Sequence, residues 1–183
     1  MEETPSTPDP TPGAGEEELG RLLQALTEGM TPEEAGKARE VLEGLFSLRT
    51  SGPDPWNPAE EIARRLKKAQ GLSMEGRRRM LQEDTLALEV GLLGRKFSET
   101  ALRVSRKEVP VTGNLKKETR RDLARLGQLN AVLVGRFPHL TPLLAEASDA
   151  YLDGMYILAG GEGPASVRLQ RTLKERKEQG KTG

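Results

Sequence analysis

Apolar residues recur along this chain in steps of three and four, the period of an α-helix with one buried face. Leu19, Leu22, Leu23 and Leu26 share one side of a helix over 16–28, with glutamates at its N-terminal end and Gly29 to close it. Thr31-Pro32-Glu33-Glu34 is a start signal: threonine as N-cap, proline at the first helical position, glutamate at the third. The helix it opens runs to about Arg49 and turns Ala38, Val41, Leu42, Leu45 and Phe46 inward. So short a joint predicts an antiparallel hairpin. A proline-bearing break at 50–56 follows, and Asn57-Pro58 repeats the start signal. The third helix, to about Gln70, gathers Ile62, Leu66 and Ala69 on one face, and Ser73 is placed to cap the next.

Over 74–108 two periods compete. Residues 85–92 alternate like a half-buried strand, yet Leu86, Val90, Leu93, Phe97, Ala101 and Val104 hold a helical stripe. No partner strand exists elsewhere, so the segment is a helix, expected to bend or break near Gly91 and Gly94. Asn114 is expected to cap a fifth helix to about Val134, with Leu115, Leu123, Leu126, Leu129 and Leu133 inside. Thr141-Pro142 opens a sixth to about Ala159, with Leu143, Leu144, Ala147, Tyr151, Leu152 and Met155 as its apolar set. Beyond a glycine-rich joint at 160–164, only Val167, Leu169 and Leu173 anchor the charged 165–179. The opening residues 1–15 hold four prolines and almost nothing apolar, too little to offset conformational entropy. The pattern therefore predicts an all-α bundle of six to seven helices with a disordered N-terminal tail. Its parts are an acidic Pro-rich tail (1–15), an acidic helical hairpin (16–49), a basic helical bundle (58–159) and a flexible charged tail, helical or not (160–183).

Composition narrows the class. Aromatic residues make up 3% of the 183, so leucine carries the packing. The absence of cysteine excludes disulfides, a thiolate nucleophile and Cys-based zinc sites. No apolar run is long enough to span a bilayer, and no signal peptide is legible at the N-terminus. The helices also lack Trp or Phe at their polar–apolar borders, which argues against membrane-surface binding. A cytoplasmic location is expected, with nuclear and intravirion settings equally compatible, and secretion is not.

Candidate chemistry is sparse. His139 is the single histidine, set between two helices with no orienting carboxylate nearby in sequence. Glu33/Glu34 and Glu60/Glu61 resemble paired catalytic carboxylates only until their place in helix starts is noticed. The glycines form neither a Walker loop nor a dinucleotide fingerprint. No catalytic residue, metal ligand or cofactor site is predicted, and the chain reads as a non-enzyme.

Charge changes the picture. The formal net charge of zero hides 4 basic against 11 acidic residues in 1–50, and 18 basic against 8 acidic in 64–136. In the fifth helix Lys116, Lys117, Arg120, Arg121 and Arg125 lie opposite the leucine stripe. Arg64, Arg65, Lys67 and Lys68 do the same in the third, and Arg77, Arg78 and Arg79 open the fourth. Such faces suit a phosphate backbone, with affinity from counterion release. No aromatics interleave with them, so base stacking is not indicated. The expected nucleic-acid contacts are Arg64, Arg65, Lys68, Arg77, Arg78, Arg79, Lys116, Lys117, Arg120, Arg121 and Arg125, on RNA or DNA, within a larger nucleoprotein assembly. The competing reading is a protein–protein adaptor that uses the hairpin leucines Leu19, Leu22, Leu23, Leu26, Leu42 and Leu45 with Phe46. A third is autoinhibition, the acidic 1–50 segment covering the basic faces. Threonines 4, 7 and 11, each before proline, would add charge to that segment if phosphorylated. Oligomerisation is left open.

Overall fold

The computed structural model describes residues 14–50 and 57–181. Among them are seven helices and no strand: α1 (Ala14–Thr27), α2 (Pro32–Thr50), α3 (Pro58–Gln70), α4 (Met74–Ser105), α5 (Gly113–Arg136), α6 (Thr141–Leu158) and α7 (Val167–Gln179). The protein is an all-α helical bundle. The expectations for residues 1–13 and for the break at 51–56 lie outside the described residues. No described helix is long and apolar enough to cross a membrane. The chain divides into two compact units, Met1–Asp84 and Thr85–Gly183, and the division falls inside α4.

In the first unit the start signals form as the residue types dictate. Thr31 and Glu34 build a reciprocal capping box: the Thr31 N–H donates to Glu34 Oε2 at 3.0 Å, and the Glu34 N–H donates to Thr31 Oγ1 at 3.3 Å. That backbone donor holds the Glu34 carboxyl below the usual carboxylate range, with Arg78 adding to the effect. Asn57 Oδ1 accepts from the Ala59 and Glu60 amides and caps α3. Gly29 leaves α1 at φ 78°, the left-handed conformation that glycine adopts without a steric cost.

The core of this unit joins Leu22, Leu23 and Leu26 of α1 to Leu42 and Phe46 of α2, Ile62 and Ala69 of α3, and Met80 of α4. Helix α1 packs on both α2 and α3. This corrects the adaptor surface expected from sequence. Leu22, Leu23, Leu26, Leu42, Leu45 and Phe46 are all buried, with Leu19 packed against the cluster, so residues 16–49 do not present a leucine face. Periodicity identified the apolar side but not its occupant, which is α3 and the start of α4.

The second unit is built on Val90, Phe97, Ala101 and Val104 of α4, the leucine stripe of α5, and Ala147, Ala150 and Ile157 of α6. Helix α4 is unbroken through Gly91 and Gly94, contrary to the expected interruption. Gly94 is buried where a Cβ would come within 2.5 Å of Glu146 Oε1, so its small size admits α6. The helix ends in a Schellman motif: Lys107 N–H donates to Val104 O and Glu108 N–H to Arg103 O, with Lys107 at φ 57°. Thr112, not Asn114, caps α5, its Oγ1 accepting from the Leu115 amide at 3.2 Å. Helix α6 lies along α5, and Gly154 sits where a Cβ would be 2.6 Å from Leu123 Cδ2. Of the apolar set read for this helix, Tyr151, Leu152 and Met155 are exposed.

The C-terminal segment 160–183, expected to be a flexible charged tail that is helical or not, is helical over Val167–Gln179, and the first turn of that helix is held down. Leu169 and Ser166 are buried, and Ser166 Oγ accepts from the Leu169 amide while donating to Asp153 Oδ1 at 2.6 Å. Arg168 donates to Asp153 Oδ2 at 3.0 Å and to Glu146 Oε1 at 2.8 Å. Burial opposes the Arg168 charge, but these two carboxylates outweigh it and raise its pKa further.

Candidate nucleic-acid interface

A cation is available to a phosphate when it is exposed and not already neutralised, and the predicted contacts divide sharply on that test. Arg65 is buried against Asp84, joining α3 to α4. Arg77 donates from Nη1 to the carbonyls of Ala25 and Glu28, each at 2.9 Å, so its charge serves the C-terminal end of α1, whose last carbonyls lack helical partners. Arg64 grips Glu61 through two nitrogens. Arg78 reaches Glu34 at 3.3 Å, and Arg79 lies 3.7 Å from Glu83. Of the first unit's predicted contacts only Lys68 is exposed with no ion pair among the described residues.

Helix α5 differs. Its Thr112 cap starts a helix with no acidic residue in the first turn, and Lys116, Lys117, Arg120 and Arg121 follow within two turns. Among the described residues Lys116, Lys117 and Arg120 make no ion pair. Lys117 and Arg120 are exposed and Lys116 is half-buried. Arg121 is 73% exposed and touches Asp122 Oδ1 at 3.3 Å, but that carboxylate also takes Lys96 on its other oxygen at 2.5 Å. Arg125 is paired to Glu89 at 2.5 Å. Spacings of three and four bring these cations to about 5–6 Å between neighbouring Cβ atoms. Along α5, all of whose residues are described, Glu118 is the only exposed acid. Within the second unit Lys117 and Arg120 meet both conditions, Lys116 is without an ion pair but half-buried, Arg121 shares Asp122 with Lys96, and Arg125 is paired to Glu89.

Sequence reasoning missed two features. Arg171, Lys174, Arg176 and Lys177 are exposed on α7, a helix whose N-terminus is fixed, so they are more than a charged tail. The cluster of Glu146, Asp153, Ser166 and Arg168 was also missed. Asp153 gave the one signal for it, as an acid spaced at three and four residues from Ala150 and Ile157 on an apolar stripe.

His139 is exposed, its ring edge-on to Phe137 at 6.2 Å. No group of three or more His, Asp or Glu residues converges among the described residues. An open cleft of about 570 Å³ lies between α1 and α3, lined by Arg21, Gln24, Ala25, Thr27, Glu28, Leu66 and Gln70. No family model, curated protein or solved structure matches this chain.

Proposed function

We propose that the protein is a non-enzymatic helical module that engages a nucleic-acid backbone through the N-terminal half of α5, as a subunit of a larger nucleoprotein assembly in the cytoplasm. One observation carries this reading: Lys116, Lys117, Arg120 and Arg121 crowd two turns of a helix with their charges largely uncompensated, while most other predicted cations are engaged by neighbouring acids or carbonyls. Four cations at helical spacing meet a row of phosphates by Coulomb attraction and release its condensed counterions. Neither Lys nor Arg in such a row reads base edges without a groove-inserted geometry, and α5 has no aromatic residue on which to stack a base. Binding is therefore led by the backbone, with weak sequence preference.

The test is charge reversal. Lys116→Glu, Lys117→Glu, Arg120→Glu and Arg121→Glu together should weaken anisotropy-measured binding to single-stranded RNA and duplex DNA at low salt by at least about a hundredfold. The matched variant Arg78→Glu with Arg79→Glu should cost far less. Unchanged affinity in the α5 variant, with circular dichroism intact, would remove the assignment.

A further inference from the structure

Arg121 and Arg125 sit one turn apart on α5, each beside an acid, and they differ in what else that acid holds. Arg125 reaches Glu89 of α4 at 2.5 Å, and Glu89 takes no second cation among the described residues. One charge cancels the other there. Arg121 donates from Nε to Asp122 Oδ1 at a loose 3.3 Å, while Lys96 of α4 donates to Oδ2 of the same carboxylate at 2.5 Å. The Asp122 side chain keeps 11% of its surface in water, against 49% for Lys96 and 73% for Arg121. Two cations from two helices thus share one nearly buried carboxylate, and the group carries a surplus of one positive charge. Neither Nη group of Arg121 makes a hydrogen bond among the described residues. Those nitrogens belong to the fork that fits phosphate oxygens two at a time.

We propose that Lys96 is a positioning residue for phosphate binding: by neutralising Asp122 it leaves the Arg121 guanidinium available to a backbone phosphate. The role rests on the reading of α5 as a phosphate-binding row, and it gives α4 a part in that row. A nearly buried carboxylate needs a cation, because its charge is screened less than one in open water. Two cations are within reach of Asp122, and Lys96 makes the closer contact. Without Lys96 the carboxylate has only Arg121, its neighbour in sequence, and Arg121 passes into the condition of Arg125. Lys96 itself need not touch the phosphate. Glu118 and Glu99, each one turn from this group on α5 and α4, are exposed acids that compete for cations equally whether or not Lys96 is present.

Fluorescence anisotropy of the full chain with labelled duplex DNA, over a range of salt, tests this. Lys96→Gln should lower affinity about eightfold at about 0.1 M salt and make the log–log slope about 0.9 shallower, the loss of one phosphate. Arg121→Gln should do the same, and Lys96→Arg should bind as the wild type does. Asp122→Asn in the Lys96→Gln background should restore the wild-type affinity and slope, because no carboxylate then holds Arg121. Circular dichroism melts check that each variant is folded at the assay temperature. If Lys96→Gln alone is not, Asp122→Asn compared with the double variant still decides, since neither carries the stranded carboxylate and the two should bind alike.

An affinity unmoved by Lys96→Gln would overturn the proposal. So would a double variant that binds as weakly as Lys96→Gln, or clearly more weakly than Asp122→Asn, since either would put Lys96 on the phosphate itself. A wild type with no salt-dependent binding is a different result: it removes the α5 reading, and the role of Lys96 goes with it.

Discussion

A carboxylate with no solvent exposure has to be satisfied by its neighbours, and Asp153 has two of them: the Ser166 hydroxyl and the Arg168 guanidinium. The pair is asymmetric, because Arg168 keeps about a third of its side chain in water while Asp153 keeps none. Removing the cation therefore leaves a stranded buried charge, the costlier way to break such a pair. Arg168→Ala should destabilise the second unit by on the order of 3 kcal/mol. Asp153→Asn with Arg168→Ala should recover part of that loss in a denaturant titration. A single variant as stable as wild type would show that Asp153 is satisfied by other means. This cluster was only half legible in sequence. An acid within the apolar stripe of α6 announces a buried partner, but that partner sits fifteen residues on in sequence, across a glycine joint, and spacing rules reach only one helix at a time. Asp122 also falls on the apolar side of its helix, α5, and the structure buries it against Lys96.

At the scale of elements, start signals were the most legible feature. Thr31 and Asn57 cap the helices their sequences announce, because a cap is a local contact among four residues. Apolar faces were less legible, since periodicity shows where a face is but not what covers it. The hairpin leucines proved to be covered, and the outer residues of α6 proved not to be. Helix α6 is the case where both sides are apolar, so the stripe alone gives no inside. Gly94 was read as a bend or break, yet it lies within a continuous helix, and both it and Gly154 mark points of close approach. At Gly154 the two influences can be weighed. Alanine adds about 1 kcal/mol of helix propensity, but its Cβ would stand 2.6 Å from Leu123 Cδ2 and 3.1 Å from Cγ. Overpacking of that kind costs about 1–3 kcal/mol. Gly154→Ala should thus be destabilising on balance by about 1 kcal/mol in thermal or denaturant melts. A stabilised variant would mean that α5 and α6 are packed more loosely than these distances imply.

For the whole molecule, a net charge of zero conceals where charge is available. Counting cations along the chain pointed to three basic faces, and the folded chain leaves one of them largely uncompensated. Arg65 and Arg77 illustrate the difference: in sequence they are indistinguishable from binding residues, and in the fold each is committed to a carboxylate or to helix-end carbonyls. The reading of α5 as a phosphate-binding row makes a quantitative demand on the intact protein. Each phosphate neutralised on duplex DNA contributes about −0.9 to the slope of log affinity against log salt. Phosphate contacts by Lys116, Lys117, Arg120 and Arg121 together require a slope of about −3 to −4 per bound chain. The measurement that tests the central claim most directly is that salt titration, run on wild type and on the α5 charge-reversal variant side by side. A slope near −3.5 that collapses in the variant is what the account predicts. A slope near zero, or one the variant leaves unchanged, would contradict it.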